Sequence, residues 1–125
     1  NISESRTFFV DKKYGISNTF YDSNPNLEKE IVQTTTLDGI YKKFNLAKID
    51  FLKMDCEGAE FEIILNTSTE VLKKIKKISV EVHEDMVPHK IEELITKLRD
   101  NGFTINIKNS TKGVKMMLPQ LFAWR

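Results

Sequence analysis

The spacing of hydrophobic residues changes along this 125-residue chain, and the changes divide it into predicted strands and helices. Two short apolar and aromatic runs, 7–10 and 16–21, flank polar turn residues and predict a hairpin or an irregular strand pair. β-branched residues at 31–35 predict a further strand. The apolar positions of 36–44 then recur at helical spacing, after Thr36, which can cap the helix. The first third of the chain is therefore expected to form strands followed by one short helix.

The middle of the chain predicts alternating strands and helices. Residues 49–54 are apolar on both faces, as in a central parallel strand that helices cover on each side. Helical spacing follows at 57–65 and again at about 69–75. Residues 77–83 alternate as a strand, with apolar side chains on one face and polar side chains on the other. This order of elements is typical of parallel α/β proteins.

The last third predicts one helix and the closing strands of the sheet. Pro88 suits the first turn of a helix, and an amphipathic pattern continues from it to Gly102. Residues 103–107 alternate as a strand. Residues 109–113 predict a turn, and the apolar runs in 114–124 are expected to add an antiparallel hairpin at the edge of the sheet.

Together the elements indicate one α/β domain that spans residues 1–125. It divides into a variable strand and loop region at 1–35 and an α/β core at 36–125. The core is expected to hold a mostly parallel sheet with helices on both faces and a C-terminal antiparallel hairpin. A hydrophobic fraction of 40% and a charged fraction of 30% are those of a soluble globular protein.

Composition also narrows the partners and the compartment. Nineteen basic and eighteen acidic residues give a net charge of +1, so neither nucleic acid nor a membrane is expected as a partner. The longest apolar stretches are only a few residues, far short of the roughly 20 that cross a bilayer. Cys56 is the single cysteine, which suits a reducing compartment, so a cytoplasmic location is expected.

Two strand ends carry candidate chemistry. In an open parallel sheet, ligands bind beyond the carboxyl ends of the strands. Asp55 follows the strand at 49–54, and His83 ends the strand at 77–83. If these strands are neighbours, the carboxylate and the imidazole open into one crevice. Gly58 allows close backbone approach there, and the start of the following helix offers unpaired N–H groups.

Each of these residues also has a purely structural explanation. Asp55 can cap the helix, and Glu57 and Glu60 in its first turn are favoured by the helix dipole by about 0.3 to 1 kcal/mol each. Gly58 can simply let helix and strand pack closely. His83 can be a hydrogen-bonded structural histidine. The residues by themselves leave both interpretations open.

Three further features are expected to be structural. Lys53 and Glu81 lie two residues before the two strand ends and are expected to form an ion pair across the strands. The histidine and acidic residues at 83–89 have no established zinc spacing, so no metal site is expected. Cys56 lacks a positioned base and is expected to be a buried thiol.

Three motifs together resemble a known family. They are Thr36-Leu-Asp38, the run from Ile49 to Glu60 with its Lys-x-Asp-x-Glu-Gly-x-Glu core, and Val80-Glu-Val-His83. In this order and spacing they resemble the FkbM family of S-adenosylmethionine-dependent methyltransferases, over about residue 34 to the C-terminus. The resemblance implies a partial Rossmann-like class I methyltransferase fold, in which the strands ending at Asp55 and His83 are the fourth and fifth.

The resemblance also implies an activity, namely O-methylation of a hydroxyl group on a sugar or natural-product-like acceptor. The acceptor oxygen attacks the methyl group in line, and Asp55 or His83 is implied as the base that takes the hydroxyl proton. The residues implied to bind the acceptor are Glu57, Gly58, Glu60, Ser17 and Asn18. The partner is then a small-molecule or glycan acceptor.

The cofactor motifs of the family are not found in the sequence. The glycine loop and the acidic residue that holds the ribose are expected before residue 1, and the five glycines are too scattered to form such a loop. We therefore expect S-adenosylmethionine to bind in a complete enzyme, while this chain alone supplies the acceptor side and is inactive. Two alternatives remain. One is a non-catalytic α/β module that forms a homodimer through an exposed sheet edge. The other is a small-molecule binder that uses the same crevice.

Overall fold

A computed structural model describes residues 4–12, 18–21, 27–108 and 118–125. The elements in chain order are β1 (Glu4–Val10), β2 (Glu28–Thr34), α1 (Leu37–Lys43), β3 (Leu52–Met54), α2 (Ala59–Asn66), α3 (Thr69–Lys73), β4 (Lys77–Glu81), α4 (Ile91–Asp100), β5 (Thr104–Lys108) and β6 (Gln120–Trp124). The chain is thus a mixed α/β protein, as its hydrophobic pattern predicts. The expected turn at 109–113 and most of the strand after it lie outside the described residues.

The first two strands form a separate antiparallel sheet. β1 and β2 pair along their whole length, from Glu4 opposite Thr34 to Val10 opposite Glu28. The expected irregular pairing of the runs at 7–10 and 16–21 is present where the second run is described, because Phe9 and Thr19 form an antiparallel bridge with two backbone hydrogen bonds, of 2.9 and 3.1 Å. The main partner of β1 is β2, which pairs with it over seven residues.

The other four strands form a sheet in the order β3-β4-β6-β5. β3 and β4 are parallel, whereas β6 runs antiparallel to both of its neighbours. Three of the four strands therefore share one direction, although only one adjacent pair is parallel. The closing strand β6 lies inside the sheet rather than at its edge. Ala123 of β6 pairs with Ile78 of β4 on one side and with Ile105 of β5 on the other. Alternate residues of β6 are buried.

The expected central position of the strand at 49–54 is also wrong for the described sheet. β3 lies at one edge, and β4 and β6 are the strands that pair on both sides. The sequence pattern misleads because Phe51, apolar in the pattern, is 59% exposed. An apolar residue on the second face therefore does not show that the face is covered.

The hydrophobic core lies on one face of this sheet. Ile78, Val80 and Val82 of the β4 segment are buried and belong to one cluster with side chains of α2, α3 and α4. Phe51 and Trp124 belong to the opposite face and stay exposed. The expectation of helices on both faces is therefore not met in the described part of the chain, where the packed helices cover one face.

Local signals explain where the helices begin. The side chain of Thr36 accepts a hydrogen bond from the Gly39 N–H and caps α1, as expected. α4 begins at Ile91 rather than at Pro88, and its first turn is closed by the Glu93 side chain, which accepts from the Lys90 N–H. Among the described residues, no helix has the length and apolar character needed to cross a membrane.

Candidate functional site

The turn between β3 and α2 shapes the rim of the candidate site. Glu57 and Gly58 both have positive φ, at 50° and 99°. Gly58 is the N-cap of α2, so Asp55 does not cap this helix. A Cβ atom on Gly58 would lie 3.0 Å from side-chain atoms of Tyr21 and of Val87. The glycine is therefore required both by its backbone conformation and by close packing.

The segment 18–21 holds this turn in place. The hydroxyl of Thr19 donates to the carbonyl oxygen of Glu57 at 2.9 Å and accepts from the Tyr21 N–H at 3.1 Å. Thr19 is almost completely buried. Sequence reasoning missed this residue, because a threonine next to an aromatic run carries no signal of a contact 38 positions away. The turn is thus fixed by the N-terminal region as well as by the sheet.

His83 is held by a buried carboxyl group. Its Nδ1 lies 2.6 Å from Oε1 of Glu60, a side chain with no exposed surface. The same oxygen accepts from the Cys56 N–H at 3.0 Å. Because this oxygen already acts as an acceptor, we assign the proton between Nδ1 and Oε1 to Nδ1. The lone pair of His83 is then on Nε2, where it is able to accept a proton or bind a metal.

Three side chains converge beyond the ends of β3 and β4. One ligand atom each of Asp55, Glu81 and His83 lies within 4.8 Å of the other two. The parallel pairing of β3 with β4, with Met54 opposite Val80, brings the two strand ends together. The structure therefore brings Asp55 and His83 close together at one edge of the sheet, as their positions after neighbouring strands suggest.

The expected ion pair between Lys53 and Glu81 is not formed. Lys53 is opposite Ser79 in the sheet, and its Nζ lies 3.5 Å from Oδ2 of Asp55. Glu81 instead accepts a hydrogen bond from the Gln120 side chain at 2.8 Å. The reason is the antiparallel β6, whose position next to β4 places Gln120 opposite Glu81.

The residues implied to bind an acceptor occupy different positions. Glu57 is partly exposed, and its Oε2 lies 3.7 Å from Nε2 of His83, so it belongs to the crevice. Glu60 is fully buried and lies behind His83 rather than at an open rim. The side-chain oxygen of Asn18 accepts from the Asp11 N–H at 2.9 Å, next to the end of β1. Ser17 lies outside the described residues.

Cys56 lies in the turn but has an unreactive environment. Burial raises the pKa of its thiol, a hydrogen bond from the backbone of Asp55 lowers it, and the effect of burial is larger. A higher pKa means less thiolate at neutral pH, and the thiolate is the nucleophile. The thiol is partly buried. This environment agrees with the expectation that Cys56 is a structural thiol.

A groove adjoins the turn on the outer side of α2. It has a volume of about 600 Å³ and lies between the β1–β2 sheet and the helices α1 and α2. Its lining includes Phe20 and Ala59, the residues that follow Thr19 and Gly58. Threonine hydroxyls at 34–36 and the paired side chains of Arg6 and Glu62 also line it. The groove therefore offers polar groups next to one aromatic ring.

Comparison with known proteins identifies the family. The FkbM methyltransferase domain model matches residues 3–105, which is most of the chain. This chain belongs to the FkbM methyltransferase family. The AMB antimetabolite synthetase AmbE of Pseudomonas aeruginosa is 31% identical over 75 residues, a match that covers 58% of this chain and 4% of AmbE. The chain thus spans only a small part of this relative. No solved structure matches the chain.

Proposed function

We propose that this chain forms the acceptor side of an S-adenosylmethionine-dependent O-methyltransferase with a partial Rossmann-like class I fold. The proposal is supported by the family match together with one structural observation. Asp55 and His83 lie together beyond the carboxyl ends of two adjacent parallel strands, where open α/β sheets bind ligands.

In the proposed reaction, a hydroxyl group of the acceptor lies between Asp55 and His83. Its oxygen attacks the methyl carbon in line, and the two side chains promote loss of its proton. S-adenosylmethionine supplies the methyl group. Glu60 holds the His83 ring through Nδ1, so Nε2 is presented to the crevice in a fixed orientation. Glu57, at the mouth, accepts hydrogen bonds from neighbouring hydroxyl groups of the acceptor.

The described residues do not fit the nucleotide part of the cofactor. A glycine-rich loop needs open space for a backbone to approach phosphate or ribose groups. The space next to Gly58 is filled by Tyr21 and Val87, and Gly39 lies inside α1. We therefore assign no cofactor contact to these residues, and the proposed role of this chain is limited to the acceptor.

The proposed acceptor is a small hydroxylated molecule, such as a sugar or a natural product. The groove beside α2 is lined by neither Asp55 nor His83, so it is not part of the proposed reaction site. The similarity to AmbE, which is named as an antimetabolite synthetase, supports a role in small-molecule chemistry. We place this activity in the cytoplasm.

Methyl transfer from labelled S-adenosylmethionine to a panel of hydroxylated acceptors tests the proposal. The assay compares the 125-residue chain with any longer native form, and calorimetry measures binding of the cofactor and its demethylated product to each. We expect transfer and tight cofactor binding only in a longer form, with transfer lost in Asp55→Asn and His83→Gln. The control Glu92→Gln, on the exposed surface of α4, should keep full activity. Full activity in both crevice variants would refute the proposed roles.

A second candidate function is association without catalysis. It is favoured by the uncovered face of the four-stranded sheet, where Phe51 and Trp124 are 59% and 41% exposed, and by the edge position of β3. Sheet edges and exposed apolar faces are common association surfaces. Sedimentation at increasing concentration tests this candidate. A homodimer that Phe51→Lys dissociates would support it, and a monomer at all concentrations would exclude a homodimer.

A further inference from the structure

We propose that Asp55, Glu81 and His83 form a binding site for a divalent cation of the Mn²⁺ type. The site goes beyond the proposed function, because cation binding by this chain requires neither the cofactor nor methyl transfer. It is assembled from the end of β3 and the end of β4, so its ligands have no diagnostic spacing in the sequence. This explains why the sequence predicts no metal site although the folded chain brings three ligands together.

The first argument is the geometry of the donors. One ligand atom of each residue lies within 4.8 Å of the others. Around a six-coordinate cation with bonds of about 2.1 Å, adjacent ligand atoms are about 3 Å apart and opposite ones about 4.2 Å apart. The side chains need to move only slightly for their ligand atoms to reach these shorter distances. The Asp55 side chain is 44% exposed, which leaves it room for that movement.

The second argument is the burial of His83 and the partners of its two ring nitrogens. This argument is independent of the positions of Asp55 and Glu81. The side chain is 95% buried, and its Nδ1 is occupied by Glu60. Nε2 has no hydrogen-bond partner among the described residues, and its nearest ion-pair contact is Oε2 of Glu57 at 3.7 Å. A histidine that donates one N–H to a carboxylate and presents the other nitrogen is the usual arrangement of a metal-binding histidine.

The third argument is charge. Asp55, Glu57 and Glu81 surround the crevice, and Glu60 lies behind it. The cationic side chain found next to them is Lys53, which is 3.5 Å from Asp55 and largely exposed. Two carboxylates held close together repel one another, and a cation between them removes that repulsion. Two oxygen ligands and one imidazole suit Mn²⁺, and the open coordination positions remain for water or an acceptor hydroxyl.

A bound cation would refine the proposed function. Asp55 and His83 would then act on the acceptor hydroxyl through the cation, which lowers the pKa of a bound hydroxyl group. The acceptor class that fits best carries two adjacent hydroxyl groups, because both oxygens could bind one cation. This refinement rests on the proposed function, whereas the cation site itself does not.

Titration of the chain with MnCl₂, followed by calorimetry and by electron paramagnetic resonance, tests the site. We expect one saturable site with a dissociation constant below about 1 mM. Asp55→Asn, Glu81→Gln and His83→Gln should each weaken binding by about tenfold or more. Glu92→Gln, a surface carboxylate on α4, is the matched control and should bind normally. Circular dichroism and urea unfolding of each variant separate lost ligands from lost folding.

A spectroscopic readout assigns the nitrogen ligand. The chain contains two histidines, His83 and His89. The electron spin echo signal of bound Mn²⁺ should show coupling to an imidazole nitrogen that persists in His89→Gln and disappears in His83→Gln. The proposal is overturned if no saturable binding occurs, if the three ligand variants bind like the control, or if the coupling survives in His83→Gln.

Assays of methyl transfer distinguish the proposed cation site from the proposed methyltransferase function. Methyl transfer that continues unchanged in EDTA would overturn the role of the cation and leave the methyltransferase proposal standing. Saturable Mn²⁺ binding to the chain, with no methyl transfer by a longer native form that binds S-adenosylmethionine, would support the site and contradict the proposed function.

Discussion

The Nδ1 atom of His83 lies 2.6 Å from Oε1 of Glu60, and both side chains are buried at the junction of β4 and α2. The same carboxyl oxygen accepts from the Cys56 N–H, so one side chain connects the turn after β3 to the end of β4. The orientation of the histidine is therefore coupled to the conformation of the turn.

Glu60→Ala should strongly destabilise the fold. It leaves the Cys56 N–H and the Nδ1 of His83 without their acceptor and opens a cavity at a fully buried position. We expect a loss of about 2 to 4 kcal/mol in the free energy of unfolding, measured by urea denaturation. Glu70→Ala, which removes an exposed partner of Lys74, should have little effect on stability. Equal losses in the two variants would contradict the structural role of Glu60.

Gly58→Ala should destabilise the chain more than Gly102→Ala. Both glycines have positive φ, at 99° and 84°, so alanine is strained at either position. Only at Gly58 does the new Cβ also meet Tyr21 and Val87 at 3.0 Å, since nothing lies within 4 Å at Gly102. We expect about 1 kcal/mol for Gly102→Ala and about 2 kcal/mol or more for Gly58→Ala. Thermal unfolding of both variants gives the comparison, and the prediction fails if Gly102→Ala is the less stable.

The contact between Arg6 and Glu62 should stabilise the chain in a pH-dependent way. Burial raises the pKa of the Glu62 carboxyl, but the hydrogen bond from Arg6 and other attractive interactions lower it further, so it lies below its usual value. A lowered folded-state pKa gives stability that is present above the unfolded pKa, about 4.3, and is lost as the pH falls through the folded value.

The variant Glu62→Gln tests this contact. At pH 7 it should lower the free energy of unfolding by about 0.5 kcal/mol, a small effect because both side chains are partly exposed. The difference from the unmodified chain should shrink as the pH falls from the unfolded-state pKa through the lower folded-state pKa of Glu62. Urea unfolding over this pH range measures it. A difference that stays constant would show that the stabilisation does not depend on the charge of Glu62.

The thiol of Cys56 should react slowly while the chain is folded. Burial is the larger of the effects on its pKa and raises it, so the thiolate fraction at pH 8 is smaller than for a free cysteine. We expect a disulfide reagent to modify the folded chain several times more slowly than the chain unfolded in urea. The rate should increase as the pH rises above the usual thiol pKa. Reaction as fast as in the unfolded chain would rule out the raised pKa.

The hydrophobic pattern predicts the core elements well because their burial follows from local periodicity. The helical spacing at 36–44 and at about 69–75 and the alternation in 77–83 correspond to α1, α3 and β4. Local periodicity does not specify which strand pairs with β1 or where β6 lies in its sheet. Pairing depends on which strands meet in space, and several runs of similar composition compete for each position.

In the candidate site, too, some features are predictable from the sequence and others depend on the tertiary structure. Asp55 and His83 were recognisable because each follows a strand, and adjacent parallel strands present their carboxyl ends at one edge. The contact of Glu60 with His83 and that of Thr19 with Glu57 had no sequence signal, since they join residues 23 and 38 positions apart. The predicted ion pair between Lys53 and Glu81 is wrong. The C-terminal strand β6 places Gln120 next to Glu81, and Glu81 accepts its hydrogen bond from Gln120 instead.

The sequence by itself determined the FkbM family, the α/β class and the two strand ends that carry chemistry, because motif order and periodicity are properties of the chain. Only the tertiary structure decided that Asp55, Glu81 and His83 converge, that Glu60 is buried behind the histidine, and that the helices of the described residues pack on one face of the sheet. These features depend on strand order and on packing between distant segments, which local sequence does not specify.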